Sequence, residues 1–476
     1  QAKSADRRKI LEQAGSVFSE GAKRQEQIIT KKLDELGINW TSGEKAGEPR
    51  AEVTFTFKGV KDNKIDAGQP LTMVAEVRNL GTGPLYRVYG ITNSDNPHLK
   101  NREFVFGYIP PGGARSWETT IKLPAEMIPR ADEVSVTLGD LYNQTRGVSS
   151  ASMVTVANLP KPRFAFEHWV DDKNGNGDGV LQVGEEVELK VRVKNIGLGD
   201  AGETIVSLKN LSSTAVFLKQ GRAKVGALRA GAVGDATLEL ALRSRADAAE
   251  LRLSIWDSDV GEVVSEAILV PVLPGRRGKA EKRMVRAQKG PVPVLSGAAT
   301  GATVLGELRP GAQLKSDMMF GGDWLRVQLS DGRVGFMAHS DANLKVTRGS
   351  RKATNNAVDY AEVQAAPTIT LDLPNLVAQD SKLRLRGTIK DKHGLKDAFI
   401  FVNDKKVFYQ SLAGLTVGAD GVSWDIDLPV ELAPGSNTVT VVARESDDLI
   451  SREARGIFLQ NVAAVADRSV GAPGKK

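Results

Sequence analysis

Alternation of apolar and polar positions runs through most of this chain. AEVTFTF from Ala51, LTMVAEV from Leu71 and EVSVTL from Glu133 each alternate with period two, the signature of strands with one face buried. EVELKVRV from Glu186, ATLELAL from Ala236 and ELRLSIW from Glu250 repeat the pattern further on. The two series are copies of one unit. Val77–Gly83 reads VRNLGTG and Val193–Gly199 reads VKNIGLG, and in each a Gly (Gly68, Gly184) stands eleven positions before the Asn. A Gly-rich turn into another strand follows each: GYIPPGGARSWETTIKL from Gly107 and GALRAGAVGDATLELAL from Gly226. Strand, Asn-x-Gly turn, strand, Pro/Gly turn, strand predicts antiparallel β-sandwiches of about 100 residues each.

A different period marks the N-terminus. Ile10, Leu11, Ala14, Val17 and Phe18 share one helical face, and Ile28, Ile29, Leu33 and Leu36 continue the stripe. Ser4 is the expected N-cap and Gly37 the expected stop. Gly15 and Gly21 weaken the middle, leaving open a break into two helices. Such a stripe needs a partner, either a sandwich face or a preceding domain.

The predicted class is mainly β: tandem Ig-like β-sandwiches with one small β-barrel and an N-terminal helical segment. The expected division is an amphipathic segment over 1–45, sandwiches over 51–156 and 162–274, and a basic linker over 275–282. A barrel over 283–347, a linker over 348–366, an Ig-like sandwich over 367–461 and a disordered tail over 462–476 complete it. TITLDL, KLRLRGTI, DAFIFVNDKKVFY, GVSWDIDLPV and NTVTVVARES supply the last sandwich's strands.

At 476 residues the chain is too long for one domain. It has no cysteine, which removes disulfides, thiolate nucleophiles and thiolate metal sites together. No apolar run is long enough to span a bilayer as a helix. The chain begins at Gln1 rather than Met, as expected of a processed product or of part of a longer protein. The net charge is +6, and seven Lys/Arg against one Glu cluster between Gly275 and Gly290. A solvated linker or a contact for an anionic surface both fit that run. Nucleic-acid recognition does not, because no aromatic interleaving or recognition helix accompanies it.

The segment with most chemical content is DDKNGNGDGVLQVGEE from Asp171. In an EF-hand-type register Asn174, Asn176 and Asp178 take positions one, three and five. Gly179 takes six, Val180 offers its carbonyl at seven, and Glu185 falls at twelve, where a bidentate carboxylate belongs. Calcium is therefore the expected cofactor, in a structural role, pinning the loop between the first two sandwiches. Asn in place of Asp at position one lowers the charge, and Asp171 or Asp172 can compensate in another register. The loop leads straight into a strand, so a Gly/Asn turn without an ion remains the alternative. His98, His168, His339 and His393 lie in different modules with no second His at ligand spacing. Asp447–Asp448, in RESDDLIS, read as loop charges. No nucleophile elbow, phosphate loop or His-Glu-x-x-His motif occurs, and no catalytic residue is assigned.

GGDWLRVQLSDGRVGFM from Gly321 resembles bacterial Src-homology-3-type domains. That resemblance implies an aromatic-edged groove for cell-wall peptides, with Phe320, Trp324 and Phe336 as its candidate lining. Trp324 and Phe336 as core anchors are the alternative. More broadly, a helix ending in LDELGINW, then NLGTGP, then DKNGNGDGVLQVGE, and finally IKDKHGLKDAFIFVNDKKVFY and PGSNTVTVVARES form an ordered set. With its Ig-like, CARDB-like sandwiches, this order resembles the non-catalytic region of large bacterial tail-specific (C-terminal-processing) serine proteases. The resemblance implies a periplasmic or secreted binding or scaffold region whose partner is a protease catalytic domain. The Ser nucleophile and Lys base of that family map onto no residue here. An independent cell-wall-binding or adhesin-like protein, with peptidoglycan as its ligand, is the alternative.

Overall fold

The computed structural model describes residues 2–173, 175–212, 214–259, 262–273, 278–349, 352–360 and 363–460. The tail expected over 462–476 lies outside them. Mainly β throughout, the chain carries one long helix at its N-terminus.

That helix, Ala2–Glu35, is unbroken. Ser4 therefore lies inside its first turn instead of capping it. Gly15 and Gly21 do not interrupt it, because an isolated Gly costs only about 1 kcal/mol relative to Ala in a helix. Gly37 does end it. At a φ of 75° its N–H bonds the Asp34 carbonyl at 2.9 Å, and the Ile38 N–H bonds the Leu33 carbonyl at 2.8 Å. This is the paired closure that a left-handed residue permits.

In the first sandwich, strands Ala51–Lys58, Pro70–Asn79 and Ala114–Lys122 form one sheet. The facing sheet contains Leu85–Asn93, Glu103–Ile109, Arg130–Gly139 and Ser149–Ala157. Phe55, Leu71, Met73, Phe104 and Val136 fill the space between them. The second sandwich pairs Glu186–Asn195 with Phe164–Asp171 and Val233–Leu242, facing Ala201–Asn210, Ala248–Asp257 and Val263–Pro271. Leu189, Val191, Leu238, Leu251 and Leu253 form its core.

The repeated Asn does the same work in both copies. Asn79 Nδ2 donates to the carbonyls of Gly83 and Ile109 at 2.8 and 3.1 Å, while Oδ1 accepts the N–H of Arg50 and Gly81. Asn195 Nδ2 donates to Gly199 and Leu228 at 2.9 and 3.0 Å, and Oδ1 accepts from Arg163 and Gly197. Both side chains are fully buried. Each thus binds the chain entering the module to the turn and to a later strand. The Gly positions follow from this close approach: a Cβ on Gly83 or Gly199 would stand 2.0 Å from the carbonyl of Ala46 or Pro160.

The third module is one eight-stranded sheet wrapped around Val285, Val294, Leu325, Val327 and Met337. Its bounds differ from expectation at both ends. Lys279–Ala287 is a strand, not a linker, since Met284, Val285 and Ala287 turn inward between the basic residues. Val358–Tyr360, expected in a linker, pairs with Val304–Leu308. The fourth module sets Lys382–Asp391 and Val422–Glu431 against Asp397–Val402, Gly435–Arg444 and Ile450–Leu459. Its core includes Leu385, Ile389, Ile400, Val439 and Val441.

The modules are joined laterally. Gly456 pairs in parallel with Arg130, merging sheets of the first and fourth modules, and its N–H bonds the Pro129 carbonyl at 2.8 Å. Gln364–Ala365 adds a strand to the second sandwich beside Phe164–Asp171. Arg163 of that sandwich donates to Ala366 O, Pro367 O and Thr368 Oγ1 at 2.8, 3.1 and 2.7 Å. Leu449 of the fourth module packs into the second module's core.

Candidate metal centres

The expected calcium loop follows Phe164–Asp171, but its neighbour is the third module, not the first sandwich. Val180 is buried with Phe320 and Phe336, and Arg326 donates to the Gly177 carbonyl at 2.5 Å while its guanidinium forks onto Asp317. Beside this joint Arg333 reaches Glu167 at 2.9 Å and lies 5.3 Å from the Trp169 ring. A short Gly-rich loop brings its own backbone close to the barrel, which is why an inter-module contact forms at Gly177 and Gly179.

Within the loop, carboxylate oxygens accept backbone N–H groups. Glu185 Oε1 and Oε2 accept from Asn176 and Gln182 at 3.2 and 3.1 Å. Asp178 Oδ1 accepts from Val180 at 3.0 Å, and its Oδ2 accepts from Gln182 Nε2 at 2.6 Å. Asn176 Oδ1 accepts from Asp178. Asn174 lies outside the described residues. Burial pushes the Asp178 and Glu185 carboxyls up, and the charge of Asp172 adds to both shifts. Asp172 is buried, and its Oδ2 is shut off from solvent without a hydrogen-bond partner. Asp171 instead pairs with Lys173 at 3.2 Å. Of the two acidic residues before the predicted register, Asp172 is therefore the one turned inward.

The aromatic trio expected to line a groove is divided. Phe320 and Phe336 are fully buried, 5.9 Å apart between ring centres, and covered by Val180 of the loop. Trp324 is half-buried at their edge. The two Phe rings present no face to a ligand, because the second sandwich occupies that side.

The histidines also differ from one another. His168 is buried in the second sandwich, and burial pushes its imidazole down to about 4. His393 joins a constellation that the sequence reading missed. Among the described residues, Asp391, His393 and Glu445 form a set whose donor atoms all lie within 4.8 Å of one another. The loop carboxylates do not converge as a set to that distance. His393 Nδ1 stands 3.5 Å from Glu445 Oε1. Asp391 Oδ1 is fixed by the N–H groups of His393 and Gly394 at 2.8 and 3.1 Å. Across the module boundary, strand Val263–Pro271, which carries Glu266, meets the loop after Glu445, where the Ala267 N–H donates to Asp448 Oδ2 at 3.2 Å. Both Glu266 Oε2 and Glu445 Oε2 are inaccessible and unpartnered. Burial pushes Glu445 up to about 8, with Asp391 and Glu266 adding repulsion, and pushes Glu266 up to about 7, with Asp448 adding to it. DKHG and RESDDLIS were both visible in the sequence, but nothing local ties either of them to Glu266.

No family model matches the chain, and no curated protein does. Among solved structures, red sea bream transglutaminase is similar with a TM-score of 0.18 and 12% identity. That alignment covers 53% of this chain and 34% of the transglutaminase chain.

Proposed function

We propose that this chain is a non-catalytic binding and scaffold region of an exported tail-specific serine protease, and that it docks the catalytic domain through its N-terminal helix. The helix carries the reading. Ile10, Leu11, Val17, Phe18, Ile28 and Ile29 are exposed along it, Phe18 to 79%. An amphipathic stripe of this length is stable in water when a partner covers it. The first sandwich holds the helix through Arg87, which reaches Glu26 at 2.5 Å, and holds the segment that follows it through the Tyr108 N–H, which bonds the Asn39 carbonyl at 2.8 Å. Laterally joined modules give such a helix a firm base, as a scaffold requires.

In this reading the protein works in the periplasm or outside the cell, and the Ser and Lys of the family's chemistry belong to the partner domain. Calcium is a structural pin at the loop, supported by the unpaired buried oxygen of Asp172. It steadies the joint to the third module and takes no part in chemistry.

The test is a pull-down from the native source with mass spectrometry of what stays bound, repeated after removing residues 1–37. The expected result is a co-purifying polypeptide with a Ser/Lys protease domain, lost on truncation while the sandwiches stay folded. Binding that survives truncation overturns the helix as the dock. Recovery of cell-wall fragments alone supports an independent cell-wall-binding protein instead.

A further inference from the structure

We propose that Asp391, His393 and Glu445 bind one divalent transition-metal ion within the fourth module, close to where the Ala267 N–H of the second module donates to Asp448 at 3.2 Å. The geometry is that of a coordination shell. Zinc bonds His nitrogen and carboxylate oxygen at about 2.0–2.2 Å, so adjacent donors of a tetrahedral site stand about 3.4 Å apart. The observed spacing from His393 Nδ1 to Glu445 Oε1 is 3.5 Å, and all three donors lie within 4.8 Å. One imidazole with two carboxylates is a mixed nitrogen and oxygen set. It suits zinc and its first-row neighbours better than calcium or magnesium, which take oxygen alone.

Three further observations separate this set from a chance acidic patch. Two carboxylate oxygens, Glu445 Oε2 and Glu266 Oε2, are sealed from solvent with no hydrogen-bond partner, a costly arrangement for like charges unless a cation meets them. Two nearby basic groups are paired with other carboxylates, Arg252 with Asp448 at 2.6 Å and Lys396 with Asp447 at 2.6 Å, while Arg163 gives its hydrogen bonds to Ala366, Pro367 and Thr368 and acts on Asp391 only through its charge. Finally, the Asp391 carboxylate is oriented by two backbone N–H groups, the kind of outer support that fixes a ligand's direction. His393 keeps 30% of its side chain exposed, which leaves a path for the ion. A simple His–Glu ion pair would use one oxygen of Glu445 and leave the other sealed and unmet.

The experiment is titration of the chelator-treated full chain with Zn²⁺ by calorimetry, and with Co²⁺ followed by visible absorption. Wild type, His393→Ala, Glu445→Gln and the loop variant Asp178→Asn are compared. The expected result is one Zn²⁺ per chain and a Co²⁺ band of low-coordinate type, both retained by Asp178→Asn. His393→Ala and Glu445→Gln each weaken binding at least about 100-fold, beyond the loss caused by removing an outer hydrogen-bond partner. Both changes are mild for the fold, since His393 is partly exposed and Gln keeps the shape of Glu445; unchanged far-UV dichroism verifies this. Failure to bind Zn²⁺, binding that either cluster variant leaves within about tenfold of wild type, or binding lost only in Asp178→Asn overturns the proposal.

Discussion

Replacing Asn79 with Ala tests whether the repeated Asn holds each sandwich together. The wild-type side chain makes four hydrogen bonds: two donated, to Gly83 O and Ile109 O, and two accepted, from Arg50 and Gly81. All four partners are backbone groups around a fully buried residue. A typical internal hydrogen bond contributes about 1 kcal/mol, and a buried partner left unpaired costs about 1–3 kcal/mol. The bond from Arg50, at 3.3 Å, is the weakest of the four. The expected loss is therefore about 4 kcal/mol, a large part of the roughly 5–15 kcal/mol that stabilises a domain. A single melting curve is the wrong readout for several joined modules. Native-state hydrogen exchange resolved by peptide is the right one: core amides of strands Pro70–Asn79 and Arg130–Gly139 should exchange about a thousandfold faster, with the second sandwich little changed. Asn195→Ala should produce the mirror result, because its four bonds match. A loss below about 1 kcal/mol, or equal deprotection of both sandwiches by either variant, would refute the reasoning.

Other outcomes follow from the same geometry. His168 is held neutral with its pKa lowered from 6.5 to about 4. Below pH 6.5 the unfolded chain takes up a proton that the folded chain refuses, so the second sandwich should lose up to about 3 kcal/mol as pH falls through that window. His168→Phe should flatten the loss, and parallel pH profiles for variant and wild type by hydrogen exchange would contradict it. Glu185→Gln should weaken calcium binding by at least about tenfold, read as loss of calcium-dependent protection across residues 175–185. Equal protection with and without calcium in the wild type would remove calcium from the loop. Arg326→Ala should cost the third module about 2 kcal/mol and expose the loop near Gly177 to limited proteolysis; an unchanged cleavage rate would mean that Val180 and the Phe rings hold the joint by themselves. Gly199→Ala, whose Cβ meets the Pro160 carbonyl at 2.0 Å, should cost about 1–3 kcal/mol by overpacking, and a neutral effect in urea unfolding would show that the turn yields.

Much of the fold is written in local pattern. Period-two alternation placed the strands of both early sandwiches, and the copies of VRNLGTG and VKNIGLG marked equivalent turns whose Asn side chains prove to bond alike. Gly37 ended the helix as expected, because a left-handed residue closes a helix by bonds confined to a few neighbours. Local pattern misled where charge masked the apolar positions: the basic stretch Lys279–Ala287 is a strand whose Met284, Val285 and Ala287 are buried.

What the sequence determined by itself was thus the class of the protein, its alternating strands and the turns between them, each set by residues a few positions apart. The tertiary structure alone decided which modules touch, that Val180 seals Phe320 and Phe336 away from any ligand, and that Asp172 is turned into the loop. It also brought Asp391, His393 and Glu445 together and set strand Val263–Pro271 of another module against the loop that follows Glu445. These outcomes rest on contacts between residues far apart in the chain. No period or spacing encodes such contacts, because they form only when the sandwiches pack side against side.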